Sequence, residues 1–275
     1  MIQDLDNSIY DNSYHDYKIR DIDRVIICNE RTVLLKNING KIEFPTIREF
    51  KSFSEYTYLF SINNIRYFTV SNAVISDASY TYENIEIFRT ALPKEERFAG
   101  ITGFQLCSWY NSHKYCSRCG NGLIHDIHER MLRCPECNMT NYPTISPAII
   151  VAIVNGDKLL ITKYAGRNYK KYALVAGFAE IGETLEETVK REVYEEVSLK
   201  VKDIKYYGCQ PWSFTSSLLI GFFAKVDGDT NITIDGEELS EGRWIDRKDM
   251  NDIEDDGITL TREMMIAFKE GKFKF

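Results

Sequence analysis

The chain has 275 residues, of which 44% are hydrophobic and 27% charged, with 34 basic and 41 acidic side chains and a formal net charge of −7. Collagenous, low-complexity and disordered classes are excluded, because only 16 glycines and 6 prolines accompany 15 phenylalanines and 17 tyrosines. The acidic balance argues against a protein that coats nucleic acid with a broad basic surface. It is compatible with an anionic substrate that metal ions bridge.

The N-terminal residues and the cysteine count bear on the compartment. Residues 1–12 are polar and acidic and lack the basic-then-apolar pattern of a secretory signal. The longest apolar run, residues 147–154, is too short to span a bilayer and predicts a buried strand. Seven cysteines, an odd number, are typical of a reducing compartment, where close pairs bind metal or do redox chemistry. We therefore expect a cytoplasmic protein without membrane contact.

The first third of the chain has the pattern of a small β-rich domain. Short β-rich runs fill residues 24–88, with one strand predicted at 25–28 and turn dipeptides at Asn39-Gly40 and Asn63-Asn64. Pro93 then opens a helical stretch that continues to about Tyr110. No motif here indicates chemistry, so we expect a scaffold or dimerisation role.

The rest of the chain predicts an α+β protein. Strands are expected at 148–154, 158–164, 218–226 and 242–245, with an acidic helix over 184–197 and a terminal helix over 261–270. We place the domain boundaries at 1–112 for the β-rich domain, 113–141 for a cysteine-rich ribbon and 142–275 for the mixed C-terminal domain.

Four cysteines form two close pairs, Cys116 with Cys119 and Cys134 with Cys137, fourteen residues apart. A tight turn in each Cys-x-x-Cys directs both thiolates at one point, and the two pairs together complete a tetrahedral site. Zn²⁺ suits it, because it accepts thiolates and has no redox demand. The alternatives are an iron–sulfur cluster or a redox dithiol, although a thioredoxin-type dithiol uses a single Cys-x-x-Cys. We predict one structural zinc without an open position for catalysis.

The other cysteines and the nearby histidines receive no chemical role. His125 and His128 lie between the two pairs and are expected to be exposed loop residues, since four sulfurs already close the site. Cys28 and Cys107 are expected to be small buried apolar residues rather than reactive thiols.

The acidic helix carries the strongest chemical signal. Glu192, Glu195 and Glu196 occupy positions i, i+3 and i+4, so their carboxylates converge on one face. A divalent cation between them would turn repulsion into attraction, and carboxylate oxygens suit Mg²⁺ or Mn²⁺. Taken alone, the triplet is more simply interpreted as a solvated acidic helix face.

The surrounding residues favour the metal site over the solvated face. They follow one pattern, which is Gly177, five residues, Glu183, seven residues, Arg191-Glu192, an apolar residue, any residue and Glu195-Glu196. This pattern resembles the Nudix box. One of its nine fixed positions departs, because Ser198 stands where the family has glycine. We expect Ser198 to adjust the helix end at modest cost and to leave the carboxylates in place.

The Nudix resemblance implies an α/β/α sandwich that hydrolyses a nucleoside diphosphate linked to another group. Bound Mg²⁺ or Mn²⁺ would neutralise the diphosphate and activate water, so catalysis would be positioning plus charge stabilisation. The implied catalytic residues and metal ligands are Glu192, Glu195 and Glu196, with Glu238 and the Ala176 carbonyl as further ligands. The implied supports of the box are Gly177, Glu183 and Arg191, the last two as an ion pair.

A four-cysteine ribbon directly before the box resembles the NADH pyrophosphatase (NudC-like) subfamily. That subfamily carries Ser-Gln-Pro-Trp-Pro-Phe-Pro-x-Ser where this chain has residues 209–217, so five of eight specified positions match. The resemblance implies that the substrate contacts Gln210, Pro211, Trp212, Ser213, Phe214, Thr215, Ser216 and Ser217. It also implies stacking of a flat base on Tyr142 and Phe178, and contacts from Glu129 and from a phosphate-binding Arg89.

The subfamily resemblance implies metal-dependent hydrolysis of NAD(H) to AMP and nicotinamide mononucleotide, with NAD-capped RNA as a second substrate and a homodimer as the assembly. Cys209, Ser213 and Thr215 replace a serine and two prolines of the selectivity element. A Nudix hydrolase of ADP-ribose, a nucleotide sugar or a dinucleoside polyphosphate is therefore the alternative. A third interpretation is a catalytically silent ribbon that binds RNA or protein, but such a protein does not need the crowded carboxylates.

Overall fold

The computed structural model describes residues 1–166, 171–234 and 236–275. These residues form two compact units. One comprises residues 2–144 and 213–216, and the other comprises Met1 with residues 145–212 and 217–275. Within the described ranges, every helix is too short or too polar to span a membrane.

The first unit begins with the predicted β-rich region, which is confirmed. Its elements are β1 (Tyr10–Asp11), β2 (Arg24–Val25), β3 (Cys28–Asn29), β4 (Thr32–Ile38), β5 (Lys41–Glu43), β6 (Phe50–Ser52), β7 (Glu55–Ile62), β8 (Ile65–Ser71), β9 (Val74–Ile75), β10 (Thr81–Asn84) and helix α1 (Lys94–Ser112), with short 3₁₀ turns at Ile47–Glu49 and Ile85–Arg89. One sheet has the order β1-β7-β8-β2 and another the order β10-β4-β3, while β5 pairs with β4 and β6 with β9.

The strand predicted at residues 25–28 is wrong as a continuous element. Its first residue belongs to β2, which pairs in parallel with β8, and its last belongs to β3, which pairs with β4 in the other sheet. The chain therefore passes from one sheet to the other between Val25 and Cys28. An apolar run alone does not reveal such a crossing, because three of the four residues are buried, as they would be in one continuous core strand.

Helix α1 packs unusually closely on these sheets because two of its residues lack side chains. A Cβ at Gly100 would come closer than 3.0 Å to the Phe88 ring, and one at Gly103 would do the same to Ile26. The helix backbone thus rests directly on the core. Cys107 follows one turn later on the same face and is also buried.

The cysteine-rich segment forms a small three-stranded antiparallel sheet in the same unit. Its strands are β11 (Ile124–His125), β12 (Leu132–Arg133) and β13 (Thr140–Asn141), and β12 lies in the centre. The sheet places the turns that carry the two cysteine pairs next to each other.

The second unit contains one large mixed sheet. Its elements are β14 (Ser146–Asn155), β15 (Lys158–Tyr164), β16 (Val175–Phe178), α2 (Leu185–Val197), β17 (Val201–Trp212), β18 (Ser217–Val226), β19 (Leu239–Asp246) and α3 (Leu260–Lys269), with a 3₁₀ turn at Arg247–Asp249. The sheet order is β17-β18-β14-β15-β19, and β16 also pairs with β14. β14 lies in the middle of this order and pairs in parallel with β18.

Residues of β14 alternate between two apolar cores. Ile149, Val151 and Ile153 pack with Val189 and the other inward valines of α2. The intervening residues, Ile150, Ala152 and Val154, pack on the other face with Leu260, Met264, Met265 and Phe268 of α3. The predicted α/β/α sandwich is therefore confirmed.

Local sequence determines both ends of α2. Thr184 accepts a hydrogen bond from the Glu187 amide at 3.2 Å, and the Glu187 carboxylate accepts one from the Thr184 amide at 2.8 Å, which is a capping box. Ser198 ends the helix with φ 57° and ψ 25°, the left-handed conformation that glycine would adopt freely. Ser198 therefore adopts a backbone conformation that is strained for a non-glycine residue, and α2 still extends to Val197.

Candidate active site and zinc ribbon

The two cysteine knuckles share one backbone geometry. The amide of Gly120 donates to the Cys116 carbonyl at 2.9 Å, and that of Asn138 donates to the Cys134 carbonyl at 3.0 Å. Both residues lie just after the second cysteine of a pair and have positive φ, 77° and 57°. Glycine and asparagine are the residues that tolerate this conformation best, which explains their occurrence after each Cys-x-x-Cys.

The four cysteine sulfurs form a compact cluster. Cys116, Cys119, Cys134 and Cys137 have sulfur atoms that all lie within 4.8 Å of one another. Three of the sulfur–sulfur distances are 3.4 to 3.6 Å, close to the edge of about 3.8 Å that a tetrahedron with Zn–S bonds of about 2.3 Å requires. The donor set and its geometry fit a structural zinc ion.

The ribbon histidines stay outside this cluster. His125 lies in β11 and its ring stacks on Tyr110 with a centroid distance of 5.0 Å. His128 is exposed and its amide donates to the Asp126 carboxylate at 2.8 Å.

Arg191 is the electrostatic centre of the acidic helix. Its guanidinium donates to both carboxylate oxygens of Glu183, at 2.6 and 2.9 Å. It also donates to the Phe178 carbonyl at 2.9 Å, which ties α2 to the end of β16. The Arg191 guanidinium lowers the pKa of Glu183 to about 2, aided by hydrogen bonds from the Glu180 amide and the Thr188 hydroxyl. The pair therefore stays charged at neutral pH.

The same guanidinium contacts two of the three predicted catalytic carboxylates. Arg191 Nη1 lies 2.8 Å from Glu192 Oε1 and 2.9 Å from Glu195 Oε2. Burial raises the pKa of the Glu192 carboxyl, and the negative charges of Glu195 and Glu238 raise it further, while Arg191 opposes them. The carboxylates of Glu195 in α2 and of Glu238 just before β19 therefore both disfavour ionisation of Glu192.

Gly177 provides the space for this arrangement. A Cβ at Gly177 would fall within 3.0 Å of the Glu192 carboxyl group. The carboxylate thus occupies the volume that any larger residue in β16 would fill. The donor chemistry fits a hard divalent cation, because the donors are carboxylate oxygens.

The remaining predicted ligands lie around this centre in the same unit. Glu196 follows Glu192 by one helical turn and is buried. Ala176 lies in β16 opposite Ile150 of β14. Among the residues that the structure describes, the four ribbon cysteines are the one group of three or more ligand-type side chains close enough together to hold a metal ion. Glu192 and Glu195 instead lie against the Arg191 guanidinium.

Two predicted substrate residues meet in the first unit. The Tyr142 hydroxyl donates to Glu129 Oε2 at 2.8 Å, and this hydrogen bond raises the pKa of the tyrosine. Both side chains are exposed, so a face of the Tyr142 ring is open to solvent. Phe178, the other predicted stacking residue, ends β16 in the second unit and is also exposed.

A second pair joins distant parts of the sequence. Residues 213–216 form the turn between β17 and β18 and belong to the first unit. The Arg89 guanidinium lies 4.6 Å from the centre of the Phe214 ring in this turn. Its Nε also donates to Glu86 at 2.5 Å, so the side chain is held from two sides. Sequence spacing contained no signal for this contact.

Gln210 has a structural role that the sequence reasoning missed. Its buried side chain donates to the Ile258 carbonyl at 2.6 Å and accepts from the Leu260 amide at 2.9 Å. These bonds satisfy backbone groups at the start of α3. Pro211 and Thr215 are exposed, whereas Ser213 and Ser217 are buried, as the turn and the paired strands require.

Two regions of the chain match known domain families, and part of the chain matches known proteins. Residues 111–140 match the NADH pyrophosphatase zinc ribbon domain, and residues 144–265 match the NUDIX domain. The NAD-capped RNA hydrolase NudC of Erwinia tasmaniensis is 43% identical over 148 residues, which cover 54% of this chain and 56% of the relative. The protein of that name from Shigella flexneri is 43% identical over 142 residues, 52% of this chain and 55% of the relative.

The match thus spans about half the length of these curated relatives. A NUDIX hydrolase from Nitrosomonas europaea of known crystal structure has 26% identity and a TM-score of 0.48, covering 57% of this chain and 91% of that chain. The resemblance predicted from the cysteine pairs and the acidic helix is confirmed by the two domain matches. The chain contains a Nudix domain preceded by an NADH pyrophosphatase zinc ribbon domain.

Proposed function

We propose that the chain hydrolyses the diphosphate bond of NAD(H), giving AMP and nicotinamide mononucleotide, and that it also removes NAD caps from RNA 5′ ends. The observation that carries this proposal is the NADH pyrophosphatase zinc ribbon directly before a Nudix domain with all its box carboxylates present. Relatives that share about half their length with it are named NAD-capped RNA hydrolases.

The carboxylates would hold Mg²⁺ or Mn²⁺. Glu192, Glu195, Glu196 and Glu238 are the proposed ligands, with the Ala176 carbonyl as a fifth. The bound ions would neutralise the diphosphate and supply a water of lowered pKa for attack on phosphorus. One of the helix glutamates would take the proton of that water.

Residues of the chain itself then hold this chemistry in place. Arg191 fixes α2 to β16 through the Phe178 carbonyl and keeps Glu183 ionised. Gly177 lets the Glu192 carboxylate lie against the strand. This is positioning, and positioning accounts for much of the rate in phosphoryl chemistry.

The proposed substrate-binding groups are of two kinds, which are aromatic rings that stack on a base and a positive charge that binds phosphate. The exposed ring of Tyr142, held by Glu129, offers a flat surface on which a base can stack. Phe178 offers a second such surface in the other unit. Arg89 would supply a positive charge for phosphate, held in its orientation by Glu86 and Phe214.

The proposal is tested by the products that the zinc-loaded full chain releases. NADH, NAD⁺, ADP-ribose, diadenosine diphosphate and an NAD-capped RNA would be compared at equal concentration, with Mg²⁺ and with Mn²⁺, by chromatography. We expect AMP and nicotinamide mononucleotide from NAD(H), and RNA with a 5′-monophosphate from the capped substrate. Activity confined to ADP-ribose or to diadenosine diphosphate would refute the NAD(H) assignment. It would favour the alternative, a Nudix hydrolase of another nucleoside diphosphate derivative, which the replacements at Cys209, Ser213 and Thr215 suggest.

A pair of substitutions on α2 tests the carboxylate assignment. Glu196→Gln removes a proposed ligand charge and should lower kcat at least about 100-fold. Glu186→Gln removes the same charge from an exposed position of the same helix and should leave kcat within a few-fold. Equal rates for the two variants would contradict the assignment.

We also propose a cytoplasmic homodimer. Zinc held by thiolates, rather than disulfides, agrees with a reducing compartment. Sedimentation of the zinc-loaded chain over a range of concentrations measures the assembly, and a monomer at micromolar concentration would contradict the dimer.

A further inference from the structure

Two cysteines outside the zinc ribbon lie in direct contact. The sulfur of Cys28 in β3 is 2.6 Å from the sulfur of Cys107 in α1, although the two residues are 79 positions apart in the chain. Both thiols are free and buried, with 7% and 1% of the residue surfaces exposed. The contact follows from the close approach of α1 to the sheets. Gly103 and Gly100 permit this approach, and they lie one and two turns before Cys107 on the same helix face.

We propose that Cys28 and Cys107 form a redox-sensitive modification site that a small peroxide closes into a disulfide between β3 and α1. A disulfide needs an S–S separation of about 2.05 Å, so the two sulfurs must approach by only about 0.5 Å. This inference does not depend on the proposed function, because no residue of the Nudix box takes part in it.

Cys28 is the reactive partner, because it is the more exposed of the two thiols, at 7% against 1%, and has polar groups beside its sulfur. The Asn111 side-chain amide donates to Cys28 Sγ at 3.3 Å, and the Ser108 hydroxyl lies 3.6 Å from it. These donors stabilise a thiolate, which is the nucleophilic form of cysteine. The pKa of Cys28 is lowered, chiefly by its hydrogen bond with Cys107, and the same hydrogen bond raises the pKa of Cys107.

Cys107 lies ready as the resolving thiol. The Cys28 amide donates to Cys107 Sγ at 3.3 Å, and the Thr69 hydroxyl lies 3.4 Å from that sulfur. These contacts hold the Cys107 sulfur next to the Cys28 sulfur. Because both residues are nearly covered, the oxidant must be small, and hydrogen peroxide is the chemical class that fits.

The reaction balances in two steps. The Cys28 thiolate attacks one oxygen of hydrogen peroxide, the O–O bond breaks, and the leaving hydroxide takes up the proton that Cys28 released, giving a sulfenic acid and water. The Cys107 thiol then attacks the Cys28 sulfur and the S–O bond breaks. The departing hydroxide takes the Cys107 proton, giving the disulfide and a second water. Two electrons pass in total from the sulfurs to the peroxide.

Peptide mapping of the zinc-loaded full chain tests the site. The chain would be titrated with hydrogen peroxide, alkylated and digested, while a chromogenic chelator records zinc release. We expect a Cys28–Cys107 cross-linked peptide, with loss of two hydrogen atoms from the intact mass, before zinc is released. Dithiothreitol should restore both thiols. Alkylation of both cysteines after zinc has been released, or cross-links confined to ribbon cysteines, would overturn the proposal.

Two variants separate this site from general thiol oxidation. Cys28→Ala should prevent the cross-link, whereas Cys209→Ala, which removes an exposed cysteine, should leave it unchanged. In Cys107→Ala the sulfenic acid on Cys28 has no partner and should be labelled when the oxidised protein is unfolded in the presence of dimedone. The wild-type map alone decides the proposal if a variant does not fold, and dimedone labelling absent from folded Cys107→Ala would overturn the role of Cys28.

Discussion

Gly177→Ala should separate activity from stability. The added Cβ would lie closer than 3.0 Å to the carboxyl group of Glu192, whereas ordinary contacts begin at about 3.4 Å. Only the end of a flexible side chain is in the way, so the backbone of β16 does not have to move. Gly177 has no positive φ, and alanine therefore introduces no backbone strain there.

The size of the effect follows from the displacement. The closest carboxyl atom of Glu192 would be 1.9 Å from the new Cβ, so it must withdraw by about 1.5 Å to restore ordinary contact, and a misplacement of about 1 Å already costs about 100-fold in rate. The stability cost is limited to the hydrogen bond of 2.8 Å between Arg191 and Glu192, which contributes about 1 kcal/mol. For a unit of this size that is a shift of roughly 2–4 °C in thermal midpoint.

The assay is kcat/KM for NADH with Mn²⁺, measured beside the thermal midpoint. Gly208→Ala is the matched control, because a Cβ at Gly208 in β17 meets no atom within 4 Å. We expect a loss of about 100-fold for the first variant and a change within a few-fold for the second. A folded Gly177→Ala protein with nearly normal activity would refute the reasoning, since activity would then not depend on the observed position of the Glu192 carboxylate.

Other predictions concern stability and zinc. Ser198→Gly should raise the free energy of unfolding by about 1 kcal/mol in urea titration, because serine holds φ 57° at the end of α2; no gain would contradict this. Gln210→Ala should lower it by about 2–3 kcal/mol, since two buried backbone groups lose their partners. Glu183, with its pKa lowered to about 2, contributes stability that is present above pH 4.5 and lost as the pH falls toward 2. Glu183→Gln should flatten that part of the pH profile. Cys119→Ser should release zinc, measured with a chelating dye, and lower the thermal midpoint.

The sequence predicts best where neighbouring residues decide the structure. The capping box at Thr184 and the valines at 189, 193 and 197, spaced by four, define α2 from its start to its end. The cysteine pairs, followed by glycine and asparagine, likewise define two turns that need little else. In these places local propensity and the final fold agree.

Contacts between distant residues were not predictable in this way. Cys28 and Cys107 were expected to be small buried apolar residues, and burial is observed, but their contact depends on how closely α1 approaches the sheet. Gln210 was predicted to bind substrate, yet its hydrogen bonds reach Leu260, 50 residues away. β17 was missed because its lysines, aspartate and proline break the alternation typical of a strand, and pairing with β18 determines it instead.

The two faces of α2 show why the fold tolerates such a crowded acidic site. Like charges at i,i+3 and i,i+4 spacing cost about 0.2–0.5 kcal/mol for each pair. The valines on the opposite face are completely buried, and burial of each contributes about 1.5–3 kcal/mol. The helix would therefore stay in place even if Arg191 left Glu192 and Glu195 for other partners. The apolar face and the ion pair between Arg191 and Glu183 stabilise the helix. The remaining carboxylates are therefore not needed for the stability of the helix and are available for chemistry.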